Sequence, residues 1–115
     1  MTIQERAIDS VVVLDLGGRL ALGDGDGLLK ERVQRLIAGG SRYIVLNVAD
    51  VSYVDSAGLG TLVAAFLDAK KSGGSLKLLS PSKRLRDLLT MARLLTVLEI
   101  SESESDALAS FNIGV

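Results

Sequence analysis

A mostly apolar run, Tyr43-Ile44-Val45-Leu46-Asn47-Val48, is followed seven residues later by Asp55-Ser56-Ala57-Gly58-Leu59-Gly60. No other stretch limits the fold as much. The first run is β-branched and continuous, the pattern of a strand buried on both faces. After it, Leu59, Leu62, Val63 and Phe66 recur at helical spacing. Asp55 and Ser56 therefore lie where a strand hands over to a helix. In a parallel α/β sheet, sites gather at the carboxyl ends of strands. A helix's first amides are unpaired there, and its dipole favours negative charge. A small hydroxyl at that point is a place to put a phosphate. A second reading stays open on the residues alone. Asp and Ser are preferred N-caps, so Asp55 or Ser56 satisfies helix amides, while Gly58 and Gly60 let the helix approach the sheet. Against capping alone stands a cost: two glycines early in a helix sacrifice on the order of 1 kcal/mol each relative to Ala.

Composition removes whole classes of chemistry. The 115 residues fit one domain, here read as 1–115, and 48% hydrophobic content with only 3% aromatic predicts an aliphatic core. There is no Cys and no His. Disulfides, Cys/His zinc sites and Ser-His-Asp or Cys-His catalysis within one chain are excluded. A net charge of -1 gives no global attraction to nucleic acid or anionic membrane. The first residues lack the form of a signal peptide, and no apolar run is long enough to cross a bilayer. The expectation is a cytoplasmic protein with no cofactor, no bound metal, and neither nucleic acid nor membrane as a direct partner.

The rest of the chain alternates regularly. Residues 3–7 and Val11–Leu16 flank a turn at Asp9-Ser10, which predicts an N-terminal antiparallel hairpin ended by Gly17-Gly18. Leu22-Gly23-Asp24-Gly25-Asp26-Gly27 matches neither the calcium-loop nor the phosphate-loop pattern. It reads as an entry loop with Asp24 or Asp26 capping the next helix; a partner contact is the other reading. Leu29, Val33, Leu36 and Ile37 mark that helix, stopped by Gly39-Gly40. The central helix runs from about Ser56 to Lys71, and Leu76–Leu79 forms a short strand. Pro81-Ser82 opens a third helix, with Leu85, Leu88, Leu89 and Ala92 on one face. Lys83, Arg84, Arg86 and Arg93 make a basic cluster without aromatics to stack bases, so it reads as a solvated face; contact with a phosphate or an acidic partner, if the cluster lies near Ser56, is the other reading. Val97–Ile100 is an edge strand, and Ser103 begins a fourth helix. The fold expected is α/β: a mixed four- to five-stranded sheet with an N-terminal antiparallel hairpin, packed by about four helices with right-handed crossovers.

Asp55-Ser56-Ala57-Gly58-Leu59-Gly60 after a hydrophobic strand resembles the signature of the STAS domain, specifically the bacterial anti-sigma factor antagonists. The resemblance runs from about Ile3 to Phe111, through Gly18-Arg19-Leu20, Gly73-Gly74 and Pro81–Leu89. It implies the same architecture and a binding module, not an enzyme. It further implies that the unphosphorylated form binds an anti-sigma factor, often itself a serine kinase, and so frees a sigma factor. Ser56 is then the residue phosphorylated, and a serine phosphatase resets it. The implied contact residues are Asp24, Asp55, Ser56, Ala57, Gly58 and Leu59. Two departures from the family pattern bear on the partner: Arg19 reverses the charge of the usual Glu, and Ala21 stands where a carboxylate follows, so that carboxylate is either missing or displaced to Asp24 or Asp26. The alternative is a STAS adaptor subunit of a transporter or stress-signalling complex. A phosphatase using Asp55 as nucleophile is the enzymatic alternative; it lacks the further metal-binding carboxylates and general acid such chemistry needs.

Overall fold

A two-residue turn at Asp9-Ser10 folds β1 (Thr2–Ile8) back on β2 (Val11–Leu20). The computed structural model describes residues 1–111, so the last four positions of the 1–115 reading lie outside the described residues. After the hairpin come α1 (Asp26–Ala38), β3 (Tyr43–Val54), α2 (Ser56–Lys71), β4 (Ser75–Leu79), α3 (Lys83–Met91), β5 (Glu99–Ser101) and α4 (Glu104–Ala109). The five strands lie side by side in chain order. β1 pairs antiparallel with β2, and every later pair is parallel. This is the expected α/β class: a mixed sheet opened by an antiparallel hairpin and packed by four helices.

Alternation along the strands divides the core in two. Leu14, Ile44, Leu46, Val48, Leu76 and Leu78 point to one face, where they meet Leu29 and Val33 of α1, Leu62 and Phe66 of α2, and Leu85 and Leu89 of α3. Val11, Val13, Val45 and Leu79 point to the other, covered by Ala107 of α4 and by Phe111. Strands filled on both faces read as continuous apolar runs, which is why Tyr43–Val48 lacks a clean alternation. Each fully buried Leu contributes roughly 1.5–3 kcal/mol relative to exposure. On the second face a polar clasp ties elements together. Arg6 Nε donates to Asp15 Oδ2 at 2.6 Å, Asn47 Nδ2 to Asp15 Oδ1 at 2.8 Å, and Arg6 Nη2 reaches Glu104. Arg6 holds the Asp15 carboxyl below its ordinary range.

The edge strand expected at Val97–Ile100 lies at Glu99–Ser101, and two other boundaries that differ from the sequence expectation move the candidate site. Gly17-Gly18 does not end β2; the strand carries on to Leu20 through two register shifts against β3. Gly18 has φ of 94°, a conformation glycine adopts without penalty, so the pair makes an irregularity and not a stop. β3 likewise continues past Val48 to Val54. The two longest parallel strands therefore end together, with Leu20 beside Val54. Their carboxyl ends deliver the β2–α1 loop and the β3–α2 junction to the same place.

Candidate docking and phosphorylation site

Asp55 separates β3 from α2 by a single residue. Its backbone is extended, and its Oδ1 accepts the Gly58 amide at 2.8 Å, which makes Asp55 the N-cap of α2. Its Oδ2 accepts a second amide, that of Leu22 in the β2–α1 loop, at 3.0 Å. One carboxylate thus closes the helix end and fastens the neighbouring loop to it. The Asp55 amide itself donates to the Leu20 carbonyl at 3.3 Å. The Leu22 amide first, and the Gly58 amide second, hold the Asp55 carboxyl below its ordinary value of 3.8.

The two readings of Asp55-Ser56 are separated by this geometry: Asp55 takes the capping role. Ser56 is the first helical residue, and it is exposed. Ala57 is half-buried, with its carbonyl accepting the Thr61 hydroxyl at 3.1 Å. Leu59 is half-buried and packs against the main core. The two glycines do different work. Gly58 is buried, and a Cβ there would overlap the Leu20 carbonyl oxygen of β2. Gly60 has nothing within 4 Å of the position its Cβ would take. The expectation that both glycines admit close approach to the sheet holds at Gly58 and fails at Gly60.

The β2–α1 loop corrects another expectation. Neither Asp24 nor Asp26 is the N-cap of α1; that position is Gly25, at φ 93° and without a side-chain hydrogen bond. Asp24 instead accepts from Arg19 Nε at 3.1 Å. Asp26, the first helical residue, accepts the amides of Gly23 at 3.1 Å and Gly27 at 2.8 Å. Gly25 is held there because a Cβ would come within 2.6 Å of the Arg19 carbonyl oxygen.

The structure also assembles what spacing in the sequence did not reveal. Val54, Ser56 and Leu59 line a groove of about 290 Å³ together with Leu88 and Met91 of α3 and its C-cap residue Ala92. Met91 is 80% exposed and Leu22, in the loop fastened to Asp55, is 76% exposed. The signal for α3 was present as its Leu85–Leu88–Ala92 face, but only the fold brings Leu88 beside Ser56. Among the described residues no group of three or more Asp or Glu is placed to hold a metal ion, and no helix is long and apolar enough to cross a membrane.

Fold and site define a small mixed-sheet α/β domain that offers one hydroxyl at a strand-to-helix junction. The chain belongs to the STAS domain family, whose model matches residues 2–107. An anti-sigma-B factor antagonist of Bacillus subtilis is 40% identical over 74 residues, 64% of this chain and 67% of that protein. The crystal structure of a candidate anti-sigma factor antagonist from Thermotoga maritima superposes with a TM-score of 0.89 at 26% identity, over 96% of this chain and 94% of the other. The Bacillus cell fate determinant SpoIIAA, solved in its phosphorylated form, has a TM-score of 0.74 at 22% identity, covering 95% and 98%, a likeness of fold alone.

Proposed function

We propose that the chain is an anti-sigma factor antagonist that acts as a binding module in the cytoplasm and is switched by phosphorylation of Ser56. The observation that carries this reading is the division of labour at the head of α2. Asp55 accepts the Gly58 amide of the helix and the Leu22 amide of the loop, and among the described residues the exposed Ser56 hydroxyl carries no hydrogen bond of the fold. The B. subtilis relative and its name support the same reading.

The unphosphorylated face of Asp55, Ser56, Ala57, Gly58 and Leu59, with the Asp24 loop beside it, docks an anti-sigma factor and so releases a sigma factor. A serine kinase activity of that partner adds the phosphate, and a phosphatase removes it. Phosphate brings about -1.5 to -2 charges and three acceptor oxygens. The helix dipole tolerates it at the first position. A docked partner does not: the group adds bulk and a dianion to a surface that must be desolvated. A penalty of about 3 kcal/mol weakens affinity more than a hundredfold, so no refolding is needed.

Incubating the protein with ATP, magnesium and the anti-sigma kinase of the same cell should place one phosphate on Ser56, read by mass spectrometry. Ser56→Ala should abolish it and keep partner binding; Ser56→Asp should weaken binding. Phosphate on another residue, or equal binding by both variants, sinks the reading.

A further inference from the structure

The Asp55 carboxylate holds two elements at once, one with each oxygen. Oδ1 accepts the Gly58 amide at 2.8 Å and closes the first turn of α2; Oδ2 accepts the Leu22 amide at 3.0 Å and holds the β2–α1 loop. Among the described residues, the Leu22 bond is the one side-chain hydrogen bond from that loop to the α2 head. The loop's other hydrogen bonds close it on itself: Ala21 with Asp24 through the backbone, Arg19 to Asp24, and Gly23 to Asp26. Without the Leu22 bond, the loop keeps its shape and loses its fastening.

Amides are neutral donors, so the Asp55 carboxylate keeps its full charge. It forms no ion pair among the described residues. Ser56 follows it directly, exposed, at the first position of α2. A phosphate there sets a dianion beside an anion that no cation offsets. Like charges at such range disfavour the ionised carboxylate, and the phosphate oxygens compete with it for amides. Of the two bonds, the one to Gly58 lies within a single turn, which the Leu59 amide also closes on the Asp55 carbonyl at 2.9 Å. The one to Leu22 joins two elements and is the one that yields.

We propose that Asp55 relays the phosphorylation state of Ser56 to the β2–α1 loop: phosphate breaks the Leu22–Asp55 bond and frees the loop that carries Leu22 and Asp24. This rests on the reading of Ser56 as the phosphorylated switch and adds how the switch reaches the rest of the docking face. The modification obstructs one contact and unfastens a second. Asp55 acts here as a positioning residue.

The test uses the full isotope-labelled chain with phosphoserine installed at position 56 during translation, so that no kinase is needed. Exchange of the Leu22 amide should quicken on the order of tenfold, the factor that one pKa unit carries. Amide shifts should move from Ala21 to Gly25 as well as at the head of α2. The Asp55 carboxyl carbon should titrate at higher pH than in the unmodified chain. Asp55→Asn supplies the control. Asn is as good an N-cap as Asp, so the α2 end stands, but it carries no charge for the phosphate to repel. In that variant, phosphoserine should change Leu22 exchange by less than about twofold. An unchanged or slower Leu22 amide in the phosphoserine chain overturns the relay, as does an equal response in Asp55→Asn. Failure of the switch reads differently. If phosphoserine frees Leu22 through Asp55 but leaves anti-sigma factor binding intact, the relay stands and the Ser56 reading falls. If binding is lost while Leu22 stays fastened, the switch stands and the relay falls.

Discussion

The two junctions that meet at the carboxyl edge of the sheet are built by opposite means. β3 passes to α2 through one residue, whose side chain caps the helix, and the next turn is pressed against β2 where only Gly58 fits. β2 passes to α1 through a longer loop. That loop closes on itself by paired backbone bonds between Ala21 and Asp24, at 2.8 and 2.9 Å, and enters the helix through a left-handed glycine with no side-chain cap. The Leu22–Asp55 bond couples the two junctions, holding the loop to the helix end and the carboxylate to the loop. A site whose hydroxyl must sit at a fixed place gains from the first construction. A loop that must adjust to a docked partner gains from the second.

Gly58→Ala is the sharpest way to break this comparison. The added methyl meets a backbone carbonyl of a central strand, which cannot swing aside as a side chain would. Overpacking of this kind costs on the order of 3 kcal/mol. Chemical denaturation should find a large loss of stability, or the variant should fail to fold. A stable Gly58→Ala protein would mean that α2 is free to lift from β2, and the tight junction would not be tight.

Asp55→Ala removes the cap and the tether together. The cap alone is worth about 0.5–2 kcal/mol. Amide exchange should quicken at Gly58 and also at Leu22, across the two junctions; unchanged exchange at Leu22 would separate them. Acid titration isolates the carboxylate. Its folded pKa lies below its ordinary 3.8, chiefly because of the Leu22 amide and then Gly58. Its contribution is therefore complete above that value and is lost as pH falls below it toward the folded pKa. Asp15, held down by Arg6, acts with the same sign, so total acid sensitivity is not diagnostic. The difference between the native chain and Asp55→Asn is. It should be flat above about pH 5 and close progressively below it. A difference that first appears near neutral pH would assign the effect to another group.

Much of this edge was readable in the sequence because it is written in local chemistry. The buried run Tyr43–Val48, the Asp9-Ser10 turn and the helix from Ser56 to Lys71 follow from periodicity and turn residues alone. Ser82 and Ser103 accept the amides of Leu85 and Asp106 as caps at the starts of α3 and α4, near where serine and proline spacing put those starts. What escaped depends on neighbours far along the chain. That Asp55 and not Ser56 is the cap was undecidable from two adjacent capping residues. That Gly25 and not an aspartate opens α1 goes with its close approach to the Arg19 carbonyl and with Asp24 pairing to Arg19, contacts no spacing rule encodes. Spacing left the basic residues of α3 between a solvated face and a contact near Ser56, and only the fold shows Arg86 paired with Glu102 and Arg84 over Tyr53.

Gly60 carries the smallest effect and the finest distinction. It sits one turn beyond Ser56, at i+4, on the same exposed face, and nothing within 4 Å opposes a Cβ. A glycine inside a helix costs about 1 kcal/mol relative to Ala, and within this chain no close approach offsets it. Gly60→Ala should therefore raise the melting temperature by several degrees, opposite in sign to Gly58→Ala two residues earlier. The same variant should be assayed against the anti-sigma partner. A stabilised domain with weakened binding would mean that the bare backbone beside Ser56 is kept for the docked chain, while a stabilised domain with unchanged binding would confine the contact to the Met91 side of the helix. Destabilisation would show that α2 packs more closely at this turn than the space around Gly60 allows, and the contrast between the two glycines would be lost.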